Sequence, residues 1–367
     1  MKNLLLNYRR YIPALITVIG VVVLGAFVIL QSHAATPSVS IEPENGVVVS
    51  PASLVSNASA SGGKSVKFGN STPFQRTLNC VPTPATTMTN AVSHLCGFPD
   101  ATNTGIPVGT VLKRVPQDIT SGQGWHYDTR GWIVADTDGA VVEGIDTGLD
   151  VNIQANNVTV KNNRIRISGD TFGVAIRHAT NAIIQDNDIS GSDTGLGRMG
   201  ATIKDIYGDA INPIIQRNNL YYTSTAIQTD VGLVQDNYIH DMGFITGDHV
   251  NGTTSNGGTL ASLTIRHNTS FNQFDQTDAI SLFEDFGVQS NRIIDNNLMA
   301  GGGYCLYAGQ NPGGIATFNI KVTNNHFSRL YYPNCGSFGY LAAWNPSGIG
   351  NVWSNNIWDD TGQQLGQ

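Results

Sequence analysis

Apolar and polar positions recur in a short pattern along the chain from about Trp132 onward. Each copy holds an aliphatic residue, two others, an asparagine, one further residue and usually a second apolar residue. The asparagines that mark the eight copies lie 19 to 31 residues apart and are Asn163, Asn187, Asn218, Asn237, Asn268, Asn296, Asn325 and Asn355. A pattern repeated at this spacing predicts a solenoid or another array of stacked units.

The repeated units predict strands, because β-branched residues alternate with polar ones and each unit closes on Asn or Gly. No helical period separates them, which excludes leucine-rich and ankyrin-type solenoids, and a propeller blade needs more residues. The spacing therefore predicts an all-β parallel β-helix with about three short strands in each coil. We expect the recurrent asparagine at a turn, where its amide bonds to the next coil and its backbone tolerates left-handed geometry.

Placing the asparagines in register also aligns a second strand of each coil. An aliphatic column then points inward and consists of Ile176, Ile203, Ile227, Val250, Ile280, Leu306 and Leu341. Side chains alternate along a strand, so the next column points outward. This outward strip consists of Arg177, Lys204, Gln228, Asn251, Ser281, Tyr307 and Ala342, and Trp344 follows on the same face.

The outward strip mixes cations, amides and aromatic rings, which is typical of a groove that binds carbohydrate. A solvated sheet face is the alternative, since polar residues are common there as well. The candidate substrate-binding residues are Arg177, Gln228, Asn251, Ser281, Tyr307 and Trp344.

Residues 131–362 resemble the right-handed parallel β-helix proteins of the pectin-lyase-like superfamily. The asparagine units carry the resemblance, together with GAVVEGID at 139–146, YIHD at 238–241 and AGGGYCLY at 300–307. It implies a right-handed helix and places the chain with exported bacterial β-helix proteins. The superfamily includes polysaccharide lyases, hydrolases and epimerases as well as adhesins and tailspikes, so the fold alone does not define the chemistry.

Acidic residues and histidines cluster along two neighbouring coils, and the densest group is His240, Asp241, Asp248, His249 and Asn251, followed by Asp275, Asp278, Glu284 and Asp285. Asp248, Asp275 and Asp278 are candidate ligands of calcium, which prefers oxygen donors. Asp248 and His249 are alternatively a candidate acid and base, and turn residues without a functional role are the third interpretation. Related chains often read His-Val-Asp-Gly where this chain has Asn251, which weakens the transfer of an acid role.

A uronate lyase of this superfamily needs a base beside the carboxylate of the sugar and a cation that neutralises that carboxylate. Lys204 is the best-placed candidate base on the outward strip. A polygalacturonase-like hydrolase is disfavoured, because the clustered Asp pairs and the Gly-His-Gly segment of that class are missing. The leading hypothesis is therefore a protein that binds or cleaves polysaccharide, such as an acidic glycan in a calcium-assisted reaction. The rival hypothesis is a non-catalytic surface or adhesion scaffold.

The N-terminus predicts export. Lys2, Arg9 and Arg10 precede an apolar run from Tyr11 to Leu30, which is long enough to span a bilayer. Cleavage after Ala34 is the alternative to a retained anchor. We expect the protein on the extracellular side of the membrane, anchored or secreted, as a monomer.

Four cysteines in an exported chain predict two disulfides. Cys305 and Cys335 are about one coil apart, so we expect them to pair, and we expect Cys80 to pair with Cys96. The predicted segments are 1–35, a signal anchor or signal peptide; 36–72, a Ser/Gly/Ala-rich linker with weak strand character; 73–130, a lead-in or cap; 131–362, the β-helix; and 363–367, a tail.

Composition narrows the partners. The net charge of −7 argues against a broad basic surface that binds nucleic acid. No motif for an organic cofactor occurs in the sequence. The expected partners are a polysaccharide or cell-surface glycan, the membrane through the N-terminal helix, and calcium as the candidate cofactor.

Overall fold

The computed structural model describes residues 52–56, 64–68, 97–192 and 197–367. The chain divides into two units, residues 1–72 and residues 73–367. In the first unit, Ala52–Ser56 pairs with Lys64–Phe68 as an antiparallel hairpin. The predicted N-terminal anchor and the predicted Cys80–Cys96 bridge lie outside the described residues. Among the residues that are described, no helix is long and apolar enough to cross a membrane.

The second unit is an all-β parallel solenoid of about nine turns, as the repeat predicts. Each turn contributes one strand to each of three sheets. We name these sheet 1, sheet 2 and sheet 3, with nine, ten and eleven strands, in the order in which a turn visits them.

Sheets 1 and 2 are parallel throughout. The strands of sheet 1 are Val141–Glu143, Thr159–Lys161, Ile183–Gln185, Ile214–Gln216, Gly232–Gln235, Leu263–Arg266, Ser290–Asp295, Phe318–Thr323 and Val352–Ser354. The strands of sheet 2 are Lys113–Val115, Ile145–Thr147, Arg164–Arg166, Asp188–Ser190, Asn219–Tyr221, Tyr238–His240, Thr269–Asn272, Leu298–Gly301, His326–Phe327 and Ile357–Trp358.

Sheet 3 begins with an antiparallel segment that closes one end of the solenoid. Its strands are Ser121–Gly122, Trp125–Asp128, Trp132–Ala135, Asp150–Ile153, Gly169–Ile176, Met199–Asp205, Thr223–Gln228, Asn251–Ser255, Asp278–Leu282, Tyr304–Ala308 and Gly339–Ala342. Residues 113–130, which the sequence assigns to a lead-in, therefore already contribute strands to the sheets.

Aliphatic side chains fill the interior in columns that follow the strand register. The column of sheet 1 runs through Val142, Val160, Ile184, Ile215, Val234, Ile265, Ile294 and Val322. All eight are at most 1% exposed. Complete burial of a Val or Ile side chain contributes about 1.5–3 kcal/mol, so these repeated positions are a main source of stability.

A buried asparagine ladder stabilises the turn between sheets 1 and 2. It consists of Asn163, Asn187, Asn218, Asn237, Asn268, Asn297, Asn325 and Asn356, all fully buried. In every asparagine except Asn356, the last, Nδ2 donates to the Oδ1 of the asparagine one turn further on, at 2.9–3.0 Å. Each Nδ2 also donates to a carbonyl in a sheet 1 strand, as Asn268 does to Val234 O at 3.0 Å.

The sequence alignment is wrong by one residue at two turns of the ladder. Asn296 and Asn355 precede the ladder and have φ angles of 52° and 55°, while Asn297 and Asn356 form the buried bonds. The residue before every ladder asparagine is left-handed, including the non-asparagines Arg217 and His267. Where two asparagines are adjacent, the first adopts the left-handed backbone and the second forms the buried hydrogen bonds. The pattern of residue types cannot tell which of the two has which role.

The alignment of sheet 3 is also wrong at two positions. The inward column contains Val174 and Thr253 rather than Ile176 and Val250. The outward column runs through Asn152, Ala175, Lys204, Gln228, Thr254, Ser281, Tyr307 and Ala342, so Arg177 and Asn251 are displaced from it. A register shift within Gly169–Ile176 and the long connection 241–250 cause these displacements.

The C-terminal turns are joined by a disulfide between Cys305 and Cys335, whose Cα atoms lie 5.9 Å apart. Both cysteines are fully buried, and they are 30 residues apart in the chain. This is the pairing expected for positions one turn apart.

The segment that precedes the first strand of sheet 2 packs against later turns of that sheet. Phe98 is fully buried, stacks on His267 at 5.6 Å and meets the edge of His326 at 4.9 Å. The carbonyl of Gly97 accepts a hydrogen bond from Nε2 of His267 at 2.8 Å. Sheet 2 is thus partly covered by the chain itself, whereas sheet 3 carries the grooves described next.

Candidate functional site

Sheet 3 carries a main groove of about 700 Å³ that spans the turns from Thr223–Gln228 to Tyr304–Ala308. The strands contribute the floor of the groove, and the connection 275–277 with residues 283 and 285 contributes its sides. Among the candidate residues, Gln228, Asn251, Tyr307, His249 and Asp275 line this groove. The structure therefore brings together five of the residues proposed from the sequence.

Aromatic rings occupy one side of the main groove. Phe283 and Tyr307 lie 5.3 Å apart between ring centroids, and Phe338 also contributes to the lining. Phe338 is 70% exposed, so its ring is open to a ligand. Exposed aromatic faces provide apolar contact area for a sugar ring without a loss of hydrogen bonds.

Amide and hydroxyl side chains occupy the floor of the main groove. Gln228, Asn251, Asn256 and Thr254 all line it. The hydroxyl oxygen of Thr254 is buried and has no hydrogen-bond partner among the described residues. A ligand hydroxyl that contacts Thr254 would satisfy that group, and a buried polar group without a partner is costly.

The charged side chains that line the main groove are acidic. Asp275 and Asp285 line it, and both are exposed. His249 is the candidate titratable base, and its Nδ1 lies 3.5 Å from Oγ1 of Thr277. No Lys or Arg lines this groove among the residues that the structure describes.

Asp278 lies directly beneath the main groove and is completely buried. Its Oδ2 accepts a hydrogen bond of 2.7 Å from Nδ2 of Asn251, which is 5% exposed. Burial raises the pKa of Asp278 to about 8, and the Ser281 hydroxyl and the Asn251 amide offset this only partly. Asp278 is therefore a neutral carboxylic acid at pH 7, and it supports Asn251 from below.

Asp248 does not belong to the main groove. Its carboxylate is held by Nε and Nη2 of Arg198, both at 2.7 Å, and Arg198 also contacts Asp170 at 2.6 Å. Burial opposes ionisation of Asp248, but the Arg198 hydrogen bonds lower its pKa overall. A carboxylate held in this way is a structural ion pair and a poor proton acceptor.

Lys204 lies one turn beyond Gln228, outside the main groove. Its Nζ is 5.3 Å from the centre of the Phe172 ring, and partial burial lowers its pKa. Lys204 is therefore on sheet 3 outside the main groove, whereas His249 lines that groove from the connection 241–250, and the predicted catalytic set of Lys204, Asp248 and His249 does not meet at one point.

The predicted calcium ligands are not brought together either. Asp248 pairs with Arg198, Asp278 is buried under Asn251, and Asp275 lines the main groove. Among the described residues, no group of three His, Cys, Asp or Glu side chains is close enough to hold a metal ion. These residues therefore do not fit a calcium site.

Two further candidate substrate-binding residues, Ser281 and Trp344, lie outside the main groove lining and contact other parts of the protein. Ser281 belongs to the outward column but is completely buried, beside Tyr307 of the next turn. Trp344 packs on Trp353 at 5.9 Å and donates from Nε1 to Gln367, so it covers the C-terminal end of the solenoid.

A second groove of about 540 Å³ lies on sheet 3 toward the N-terminal turns. Its lining includes Arg130, Trp132, Arg177, His178 and Tyr207. Arg177, predicted to bind substrate together with Gln228, lies here instead. In the shared outward column, Asn152 of the second groove is three turns from Gln228 of the main groove, about 14 Å at the usual strand spacing.

Sequence reasoning missed most of the second groove. Arg130 and Trp132 belong to the antiparallel segment, and Tyr207 follows the end of the strand Met199–Asp205, so no repeat marks them. Thr254 was missed because Asn251 was placed in its column. The Arg-x-Trp spacing at 130–132 is the one local signal, since it places a cation 4.9 Å from an indole ring.

Comparisons with known proteins add no relative: no family model matches the chain, and neither a curated protein nor a solved structure matches it. The class defined by the described residues is a parallel β-solenoid with two grooves on one sheet.

Proposed function

We propose that this protein binds polysaccharide in the main groove, as an exported β-helix protein of the pectin-lyase-like type. The observation that carries the proposal is the lining of that groove, where Phe283, Tyr307 and Phe338 lie beside amide and hydroxyl groups. Apolar ring faces and a small number of oriented polar groups are the combination that a sugar ring requires. A solvated sheet face does not explain three aromatic rings at one groove.

Within that proposal, an uncharged stretch of glycan fits the main groove better than a uronate does. A uronate carboxylate needs a cation, whereas Asp275 and Asp285 are the charged side chains at its walls besides His249. Like charges at short range disfavour binding. The calcium-assisted lyase reaction loses support for the same reason, and binding is favoured over cleavage.

Export is part of the proposal. The N-terminal apolar run supports it, and the Cys305–Cys335 disulfide is typical of an oxidising compartment. We propose a location outside the cell, with the chain anchored to the membrane or secreted. Protease treatment of intact cells is expected to degrade an anchored form, and a protected protein would contradict export.

The main test of the proposed function is a titration of the purified protein with soluble neutral and acidic polysaccharides. Glucan, xylan, mannan and galactan provide the neutral arm, and pectate and alginate provide the acidic arm. We expect at least one neutral polymer to bind, and we expect Tyr307→Ala to weaken that binding about tenfold, because a stacked aromatic ring is worth about 0.5–1.5 kcal/mol beyond its buried area.

Phe318→Ala is the matched control, because Phe318 is an exposed aromatic residue on sheet 1. The same reactions, followed for unsaturated uronate and for new reducing ends with calcium and with chelator, separate binding from cleavage. If no polymer binds, the carbohydrate proposal is wrong and the scaffold hypothesis replaces it.

A further inference from the structure

The second groove differs from the main groove in the charge of its lining. Arg130, Arg177 and His178 line it, and no Asp or Glu does so among the described residues. Trp132 is 38% exposed and Tyr207 is 56% exposed, so both rings are accessible to a ligand, although Arg130 lies 4.9 Å from the Trp132 ring and His178 stacks on one face of Tyr207. Cations beside accessible aromatic faces suit a ring that carries a negative substituent.

Arg177 is held in place from behind. Its Nε donates to Oδ1 of Asn152 at 2.6 Å, and Nδ2 of Asn152 donates to Asp150 at 3.0 Å. Asn152 is 2% exposed, so this support is buried. A buried second layer that fixes the orientation of a charged side chain is a feature of binding sites.

The outer edge of the Arg177 guanidinium retains donors for a ligand. Nη1 makes one long contact of 3.4 Å with the Tyr207 hydroxyl, and Nη2 makes no hydrogen bond to the described residues. Arg177 also forms no ion pair with a described carboxylate at salt-bridge distance. Two parallel N–H groups of one guanidinium match the two oxygens of a carboxylate or sulfate.

The other two basic side chains of the lining, Arg130 and His178, are each paired with a carboxylate that does not line the groove. Arg130 is bound by Asp128, whose pKa is lowered to about 2 by that hydrogen bond. Asp209 is bound to Nδ1 of His178. The His178 ring also stacks on the Tyr207 ring, with 4.2 Å between the ring centroids. Asp150 faces Arg177 through Asn152; burial raises the pKa of Asp150, and the Asn152 hydrogen bond and the charge of Arg177 offset this in part. Arg177 is therefore a cation that no described carboxylate holds at salt-bridge distance, and it keeps donors for a ligand.

We propose that the second groove is a subsite for an anionic group, a carboxylate or a sulfate, carried by the same glycan that enters the main groove. Arg177 binds the anionic group, and Trp132 or Tyr207 contacts the sugar ring. Lys204 lies between the two grooves in the outward column. The basic side chains along sheet 3 therefore lie toward its N-terminal turns, and the acidic ones line the main groove. The glycan is then bound in one direction, with an uncharged stretch in the main groove.

The anion site stands on its own geometry, and only its connection to a polysaccharide rests on the proposed function. The test uses three matched sugars: glucose, glucuronate and glucose 6-sulfate. Their binding to the full protein is measured by saturation-transfer NMR at low ionic strength. We expect one or both charged sugars to bind at least tenfold more tightly than glucose, and the tighter of the two identifies the anionic group.

Arg177→Gln is expected to remove this preference, and Arg177→Lys to restore part of it, because Lys keeps the charge without the fork. Arg266→Gln is the control, since Arg266 is an exposed arginine of sheet 1 bonded to Gln235. The proposal is overturned if the charged sugars bind no better than glucose, or if both Gln variants have the same effect. Unfolding curves identify a variant that does not fold. If Arg177→Gln does not fold, the preference of Arg177→Lys for the charged sugars is measured instead, and a preference equal to that of the wild type would contradict a role for the guanidinium fork.

The two proposals fail separately. Tyr307→Ala is expected to leave glucuronate and glucose 6-sulfate binding unchanged. If no neutral polysaccharide binds the wild type but the charged sugars are preferred, only the proposal for the main groove is wrong. If a neutral polysaccharide binds but the charged sugars are not preferred, only the proposal for the second groove is wrong.

Discussion

The two grooves lie on one sheet of one solenoid, yet their linings have opposite character. Strand residues such as Gln228 and Thr254 form the floor of the main groove, and acidic residues come from its connections. In the second groove, Arg177 and Tyr207 follow the ends of their strands. The strand register therefore sets which side chains form the floor of a groove, while the connections supply its charged side chains.

The largest expected effect is on the stability of the solenoid that carries both grooves, and it acts through the asparagine ladder. Asn297→Ala deletes bonds to Ile265 O and Asn325 Oδ1, leaves the backbone N–H of Asn268 without its acceptor, and removes one of the acceptors of Asn268 Nδ2. We expect the free energy of unfolding to fall by about 4 kcal/mol, since each orphaned buried group costs 1–3 kcal/mol. Chemical denaturation measures the change.

Asn296→Gly is the matched control for that variant. Asn296 has a φ of 52°, which glycine adopts without strain. We expect a change within about 0.5 kcal/mol for this partly exposed residue. Equal destabilisation by both variants would show that the ladder register is not as described.

The second effect is a pH dependence that belongs to the main groove alone. Between pH 4 and pH 8 the Asp278 carboxyl is ionised in the unfolded chain but protonated in the fold, because burial raises its pKa to about 8. Its contribution to stability therefore falls by about 1.4 kcal/mol per pH unit as pH rises through this window. Asp278→Asn is expected to remove that slope.

Denaturation of the wild type and of Asp278→Asn at pH 5, 6 and 7 measures the slope difference. Asp285→Asn, a change of the same type at an exposed position of the same groove, is expected to keep the wild-type slope. A stability difference between wild type and Asp278→Asn that is constant across this range would mean that Asp278 is ionised in the fold.

The smallest effect is electrostatic. Asp275→Asn combined with Asp285→Asn is expected to raise the affinity of the main groove for pectate about fivefold at low salt, which corresponds to about 1 kcal/mol for two exposed charges. The gain is expected to disappear near 1 M salt, where the screening length is about 3 Å. Titrations at two salt concentrations check it, and an equal gain at high salt would exclude a charge effect.

The sequence predicts the solenoid and the inward aliphatic columns well, because both follow from alternation and from the repeat. It predicts Gln228 and Tyr307 as groove residues for the same reason. The position of Asn251 was predicted three residues out of register, because connection 241–250 is long and carries no periodic signal. Side-chain pairings such as Asp248 with Arg198, 50 residues away, are invisible to any local pattern.

The most direct test of the account is a crossed titration. A neutral tetrasaccharide that binds the wild type, and the same chain ending in glucuronate, are each titrated by calorimetry into Tyr307→Ala and Arg177→Gln. We expect Tyr307→Ala to weaken both ligands, and Arg177→Gln to weaken only the glucuronate-terminated one, about tenfold. If Arg177→Gln weakens both ligands equally, or neither, the two grooves do not divide the ligand by charge and the central claim is wrong.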